Sequence, residues 1–257
     1  IIDAHSAVPA ATIADEGMML AIMGTSTCHM VLTREKHLVE TISGVVADGI
    51  LPGFYGYEAG QVAVGDIFAW FVNNAVPAEY AQEAKAQGVT IHELLGERAR
   101  DQRPGAHGLI ALDWWNGNRT PLVDADLSGL LLGCTLETRA EDIYRALIEA
   151  TAFGTRLIIE TYRKFGVPVN QFFACGGLVQ NELLMQIYAD VINLRIRIAR
   201  STQASAAGAA IFGTVAAGKE NGGYDTMQEA IAKMGGLQER SFTPVSYTHL
   251  RAHETVL

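Results

Sequence analysis

The feature that most constrains the fold is the stretch FFACGGLVQNELLMQIYADV, residues 172–191. An apolar run of strand length ends in Gly176-Gly177, and within a few residues apolar side chains recur at helical spacing. The pattern predicts strand, tight glycine turn, helix. Glycines lack Cβ atoms, so the backbone can take positive φ and a ligand can come close, while the first helical turn offers free N–H groups to an anion or nucleotide. Taken alone, the pattern also fits an ordinary connection with awkward dihedrals. It lacks the third glycine of the dinucleotide fingerprint and the Gly-Lys-Ser/Thr of the P-loop. Other segments must therefore decide its meaning.

Those segments follow an α/β logic. Residues 18–33, MMLAIMGTSTCHMVLT, hold two β-rich runs around Gly24-Thr25-Ser26-Thr27 and predict a hairpin. Val64, Ile67, Phe68 and Phe71 recur at helical spacing and predict a core-facing stripe. Thr90 with Glu93 and Thr138 with Glu141 both fit the capping box, so each should open a helix. The second helix is long, with Ile143, Leu147, Ala150, Gly154, Leu157 and Thr161 as its expected buried face and a stop near Gly166 and Pro168. Residues 108–112 predict a short strand, followed by a turn-rich loop, LDWWNGNRTPLVDADLSG, over 112–129. LRIRIA, residues 194–199, predicts a half-buried strand, and the Ala- and Gly-rich run 204–218 predicts a helix packed tightly on a sheet. Together these predict one layered α/β domain over residues 1–244, a mixed sheet flanked by helices.

With 257 residues, 49% of them hydrophobic, the chain can bury a sizeable core. A net charge of -9 leaves no basic stripe, which argues against nucleic acid and anionic membranes and points to a small ligand. Cys28, Cys134 and Cys175 lie far apart without a CxxC pair, which argues against a disulfide framework or zinc cluster and fits the cytoplasm. No apolar run approaches the ~18 to 20 residues of a membrane span. His29, His37, His92 and His107 show no triad spacing, and no GxSxG elbow occurs. The chain opens without methionine, and its last residues, VSYTHLRAHETVL, resemble a translated sequencing adapter. Residues 245–257 are therefore expected to be a non-native tail.

Four ordered motifs carry a resemblance: MGTSTCHM (23–30), GFYGYEAGQ (53–61), LDWWNGNRTPLVD (112–124) and the opening glycine unit. They resemble the C-terminal half of the ribulokinase branch of the FGGY carbohydrate kinases. The resemblance implies an actin-like, ribonuclease-H-like ATPase domain acting on ATP, Mg2+ and ribulose or a related ketopentose, joined to an N-terminal domain that this chain lacks. Other FGGY kinases, of xylulose or glycerol type, and a non-catalytic nucleotide-binding module are the alternatives, and a homo-oligomer stays open. By resemblance Asp3 of Asp3-Ala4-His5 is the general base on the sugar hydroxyl. Asp-x-His also suggests a metal site, but two ligands with no third are too few to name one. Gly24 and Thr25 match the hairpin phosphate loop, and Glu58 matches a position contacting the sugar. Gly176 and Gly177 shape the ATP turn, and Asn181 matches an adenosine-binding position. The Trp114-Trp115 pair is expected in core or interface rather than as a sugar platform.

Overall fold

The computed structural model describes residues 2–42 and 44–245. The proposed tail lies outside the described residues except for Val245, whose N–H donates to Asp190 Oδ1 at 2.9 Å. The predicted hairpin is present: β1 (Met18–Met23) runs antiparallel to β2 (Thr27–Thr33), with Met19 opposite Val31 and Met23 opposite Thr27. Successive strand side chains point to opposite faces. Met19, Ala21, Met23 and Val31 accordingly enter one core, and Leu20, Met30 and Leu32 enter another.

Five more strands complete the main sheet. They are β3 (Val45–Ala47), β4 (Tyr55–Gln61), β7 (Gln171–Cys175), β8 (Ile196–Ala199) and β9 (Leu237–Phe242), and the seven-stranded order is β3-β4-β2-β1-β7-β8-β9. β1, β7 and β8 run parallel to one another, and the outer pairings are antiparallel. The predicted strand at 108–112 shortens to β5 (Ile110–Leu112) and lies outside this sheet, pairing with β6 (Leu130–Leu132) as a separate two-stranded ribbon.

On one face of the main sheet lie α2 (Gly65–Asn74), α3 (Ala78–Gln87), α4 (Ile91–Ala99), α5 (Ala140–Lys164) and α6 (Glu182–Ile192), whose apolar residues share one core. On the other lie α1 (Asp3–Ala10), α7 (Ala204–Ala217) and α8 (Met227–Met234). The expected stripe on α2 holds, with Ile67, Phe68 and Phe71 buried and Val64 at its N-cap. So does the first capping box, in which Thr90 Oγ1 accepts from Glu93 N–H and Glu93 Oε2 accepts from Thr90 N–H at 2.7 Å.

Three local expectations are corrected. The second capping box is displaced: α5 starts after Arg139, whose N–H donates to Asp142 Oδ2, while Thr138 Oγ1 accepts from Thr135 N–H. Glu141 is freed from capping and is buried, accepting a 2.7 Å bond from Tyr80. The buried face of α5 keeps Leu147 and Ala150 of the expected set but otherwise shifts, running through Tyr144, Thr151, Thr155, Ile158 and Tyr162, with Leu157 exposed. Two threonines turn inward because buried polar groups await them, a cause that apolar counting misses. Finally, α7 makes its close approach to a helix rather than to the sheet. A side chain at Gly208 would overlap the Ser6 carbonyl of α1, and Ser6 Oγ lies 2.9 Å from the Ser205 carbonyl oxygen.

Candidate functional site

The ends of β1, β4 and β7 and the start of β2 meet at one edge of the sheet, where three connections converge. The first is the hairpin turn. Gly24 N–H donates within it to Ser26 O at 2.9 Å, so this amide is not free for a phosphate. The carbonyls of Gly24 and Thr25 accept from Gly65, Val64 and Asp66 at 2.8–3.2 Å, which pins the turn to the start of α2. A Cβ on Gly65 would stand 2.6 Å from the Gly24 oxygen, so only glycine allows this contact. Thr25 is exposed, and its hydroxyl has no bond among the described residues.

The second connection is the glycine turn after β7, and its two glycines differ. Gly176 has φ +101, and a side chain on it would collide with the Met23 backbone, so its job is to fit the turn against β1. Gly177 opens a short 3-10 turn, Gly177–Gln180, with no atom within 4 Å of where a Cβ would stand. The helix begins only at Glu182, with Asn181 as N-cap: Asn181 Oδ1 accepts from Leu184 N–H at 3.0 Å. Its Nδ2 lies 3.4 Å from the Tyr144 hydroxyl, and His92 Nδ1 lies 3.1 Å from the same hydroxyl. Gly65, Phe68, His92, Tyr144, Gly177 and Asn181 all line one cavity of about 840 Å³. Burial pushes the His92 pKa down and the Tyr144 pKa up, so both rings favour their neutral forms. A nucleoside-sized space results, its walls mixing apolar side chains such as Phe68 and Leu178 with charged ones such as Glu97 and Arg100.

The third group lies on the opposite face. Asp3 opens α1 exposed, its Oδ1 accepting the Ala4 N–H at 2.8 Å. Glu58, matched by resemblance to a sugar-contacting position, sits within β4, opposite Met30. His5 Nε2 lies 2.9 Å from Glu58 Oε2, and Arg119 Nη2 donates to Glu58 Oε1 at 2.6 Å. Cys28 ties the group together: burial first, then the nearby Glu58 and Asp3 carboxylates, push its thiol pKa up, with Arg119 opposing. The structure thus brings Asp3 and Glu58 to one place. Sequence reading missed His5, Arg119, His92 and Tyr144 as members of the two sites. His5 was visible beside Asp3, but its partner was not.

Under the hairpin lies a buried polar brace. Gln61 Nε2 donates to Asp113 Oδ2 at 2.6 Å and to the Thr151 carbonyl at 2.8 Å, and Gln61 Oε1 accepts from Thr155 at 2.7 Å. His29 Nε2 lies 3.3 Å from Thr155 Oγ1. Burial raises the Asp113 pKa, against the lowering effect of its Gln61 bond. Trp115 meets Trp70 in a tilted pair, ring centroids 4.5 Å apart and planes at 60°, and packs against the core, as expected.

The layered fold sets a cavity against one side of this edge and the Glu58 group against the other. The profile of the FGGY family of carbohydrate kinases, C-terminal domain, matches residues 19–217, and the chain belongs to that family. It is similar to the ribulokinase of Shouchella clausii (strain KSM-K16), 56% identical over 256 residues that cover 99% of this chain and 46% of that protein. It is similar also to the ribulokinase of Geobacillus thermodenitrificans (strain NG80-2), 57% identical over 245 residues, 95% of this chain and 43% of that one. The chain therefore spans about half the length of the curated relatives it matches. Among solved structures, xylulose kinase from Rhodospirillum rubrum aligns with TM-score 0.79 at 24% identity, over 95% of this chain and 46% of that one. Plasmodium falciparum glycerol kinase with ADP aligns with TM-score 0.74 at 21% identity, over 99% of this chain and 48% of that one. At these identities the likeness establishes the fold, which is the expected actin-like α/β architecture.

Proposed function

We propose that the chain is the nucleotide-holding, base-supplying half of an ATP-dependent kinase that phosphorylates ribulose on its terminal hydroxyl. The observation that carries this reading is the shared neighbourhood of Asp3 and Glu58, joined by His5, which follows Asp3 by two residues on α1 and places Nε2 2.9 Å from Glu58 Oε2. The ribulokinase names of relatives 56% and 57% identical support ribulose as the sugar.

Phosphoryl transfer asks a protein mainly for positioning and charge stabilisation. Asp3, an exposed residue whose Oδ1 accepts the Ala4 N–H, takes the proton of the attacking sugar hydroxyl. Glu58 accepts a second hydroxyl and fixes the sugar's orientation. Thr25 offers its exposed hydroxyl to the phosphates, and Gly177 lets the nucleotide lie against bare backbone. Asn181 reaches the nucleoside from the cavity wall. ATP supplies the phosphoryl group. Magnesium travelling with nucleotide phosphates needs one or two protein carboxylates rather than a full cage. Among the described residues no group of three or more His, Cys, Asp or Glu side chains is placed to hold a metal ion by itself. An ATP-consuming sugar kinase with free Cys28, Cys134 and Cys175 belongs in the reducing cytoplasm.

The N-terminal half carried by the relatives completes the sugar pocket. The test is to extend the chain by that half and assay ATP-dependent phosphorylation of ribulose, xylulose and glycerol. Preference for ribulose, phosphorylated at its terminal carbon, is the expected result. Preference for another of the three would reassign the substrate, and inactivity on all would overturn the kinase reading. The 257-residue chain alone is expected to give no turnover.

A further inference from the structure

We infer that Arg119 and His5 are positioning residues which fix the Glu58 carboxylate before the sugar arrives, and that the 113–120 loop exists to deliver Arg119 there. The inference rests on the sugar-contact reading of Glu58 and adds to it the means by which that contact is aimed. Each Glu58 oxygen faces a different donor: Oε2 lies 2.9 Å from His5 Nε2, and Oε1 lies 2.6 Å from Arg119 Nη2. The donors come from separate elements, one from α1 two residues after Asp3 and the other from the loop beyond β5. Side-chain exposure is 20% at His5 and Glu58 and 41% at Arg119, so the carboxylate and its histidine are largely shielded while the guanidinium keeps contact with water.

The loop is fastened to β4 at three successive levels. Asp113 holds the Gln61 side chain at 2.6 Å, Thr120 Oγ1 accepts the Gly60 N–H at 3.4 Å, and Arg119 reaches Glu58. Gly60 leaves room for the last contact. Strand residues two apart share a face, so Gly60 lies beside Glu58 on the face where Arg119 crosses. A Cβ on Gly60 would stand 3.1 Å from the Thr27 carbonyl oxygen, 3.3 Å from Arg119 Nη1 and 3.6 Å from its Cδ, so it would crowd the strand beside it and press on the guanidinium. Cys28, opposite Gly60 in the register, senses Arg119, Glu58 and Asp3 together.

The consequence is preorganisation. A free glutamate must give up rotamer freedom when it meets its ligand, and a carboxylate already held by two donors has lost that freedom beforehand. A carboxylate has about four lone-pair sites, so two donors leave room for sugar hydroxyls. The His5 contact also ties the strand of the sugar contact to the helix of the proposed base, which fixes the distance between the two carboxylates.

The test uses the extended, full-length enzyme. Arg119→Ala is expected to raise KM for the ketopentose about tenfold or more, the range for a charged hydrogen bond, while KM for ATP stays within about twofold. Arg119→Lys, which keeps the charge and stem but not the fork, should recover part of the loss and remains informative if the alanine variant fails to fold. The deciding readout is a double-mutant cycle with Glu58→Ala. If Arg119 acts through Glu58, Arg119→Ala adds nothing to the sugar KM of the Glu58→Ala enzyme, whereas multiplied effects would show that Arg119 touches the sugar itself and would overturn the inference. An unchanged sugar KM in a folded Arg119 variant would overturn it too. If Glu58→Ala itself leaves the sugar KM unchanged, the sugar-contact reading fails along with it.

Discussion

Gly208→Ala sets two physical rules against each other. Helix propensity favours alanine over glycine in a helix interior by about 1 kcal/mol, so α7 taken alone would gain stability. Packing opposes it: the new Cβ would overlap the Ser6 carbonyl oxygen and stand 2.6 Å from its carbon and 3.4 Å from Ala7 N. Non-bonded heavy atoms settle at about 3.5–4.0 Å and the Ser6 oxygen is the nearest obstacle, so α1 must retreat by about 2 Å. The obstacle is backbone, which cannot rotate away. Overpacking of this kind costs about 1–3 kcal/mol. The retreat also weakens the contact between Ser6 Oγ and the Ser205 carbonyl, 2.9 Å long, worth about 1 kcal/mol. Taking roughly 2 kcal/mol for overpacking and 1 for the bond, less 1 for propensity, leaves a net loss of about 2 kcal/mol. For a chain of this size that lowers Tm by about 4–8 °C. Thermal unfolding followed by circular dichroism reads it directly. A variant as stable as the parent, or more so, would refute the claim that Gly208 is kept for the approach of α1.

Two further outcomes follow from buried or capping groups. Burial pushes the His29 pKa down to about 3, against about 6.5 in the unfolded chain. Its contribution is therefore intact above pH ~6.5 and lost as pH falls toward ~3, at up to about 1.4 kcal/mol per pH unit. His29→Gln should flatten that slope in urea midpoints taken from pH 7 to 4, and parallel slopes would contradict it. Asn181→Ala removes the α6 cap, lowering stability by about 1 kcal/mol, and should also weaken ATP binding measured by calorimetry on the chain. Unchanged ATP affinity would remove Asn181 from the nucleoside site.

The hairpin and the glycine unit were legible because both are written in local chemistry: period-2 burial, turn residues and a strand ending in paired glycines. The face of α5 was not, since Thr155 turns inward for Gln61, and its buried bond is invisible in an apolar count. Asp3, Glu58, Gly177 and Asn181 came with the family resemblance, and the structure gathers them at two sides of one sheet edge. Gly24 and Gly176 proved more structural than expected, one amide closing its own turn and the other glycine fitting against Met23. Arg119 stayed hidden for a topological reason. A turn-rich loop looks the same whether or not it delivers a side chain, and Arg119 meets Glu58 across 61 residues of sequence.

The central claim is that Asp3 is the base of a sugar kinase whose nucleotide site lies in this chain. Its most direct test is Asp3→Asn in the extended enzyme, with ribulose turnover and ATP affinity measured side by side. Turnover should fall by about a hundredfold or more while the ATP Kd stays unchanged, because the amide keeps the shape of the side chain and cannot take the proton. Turnover near the parent's rate would contradict the account.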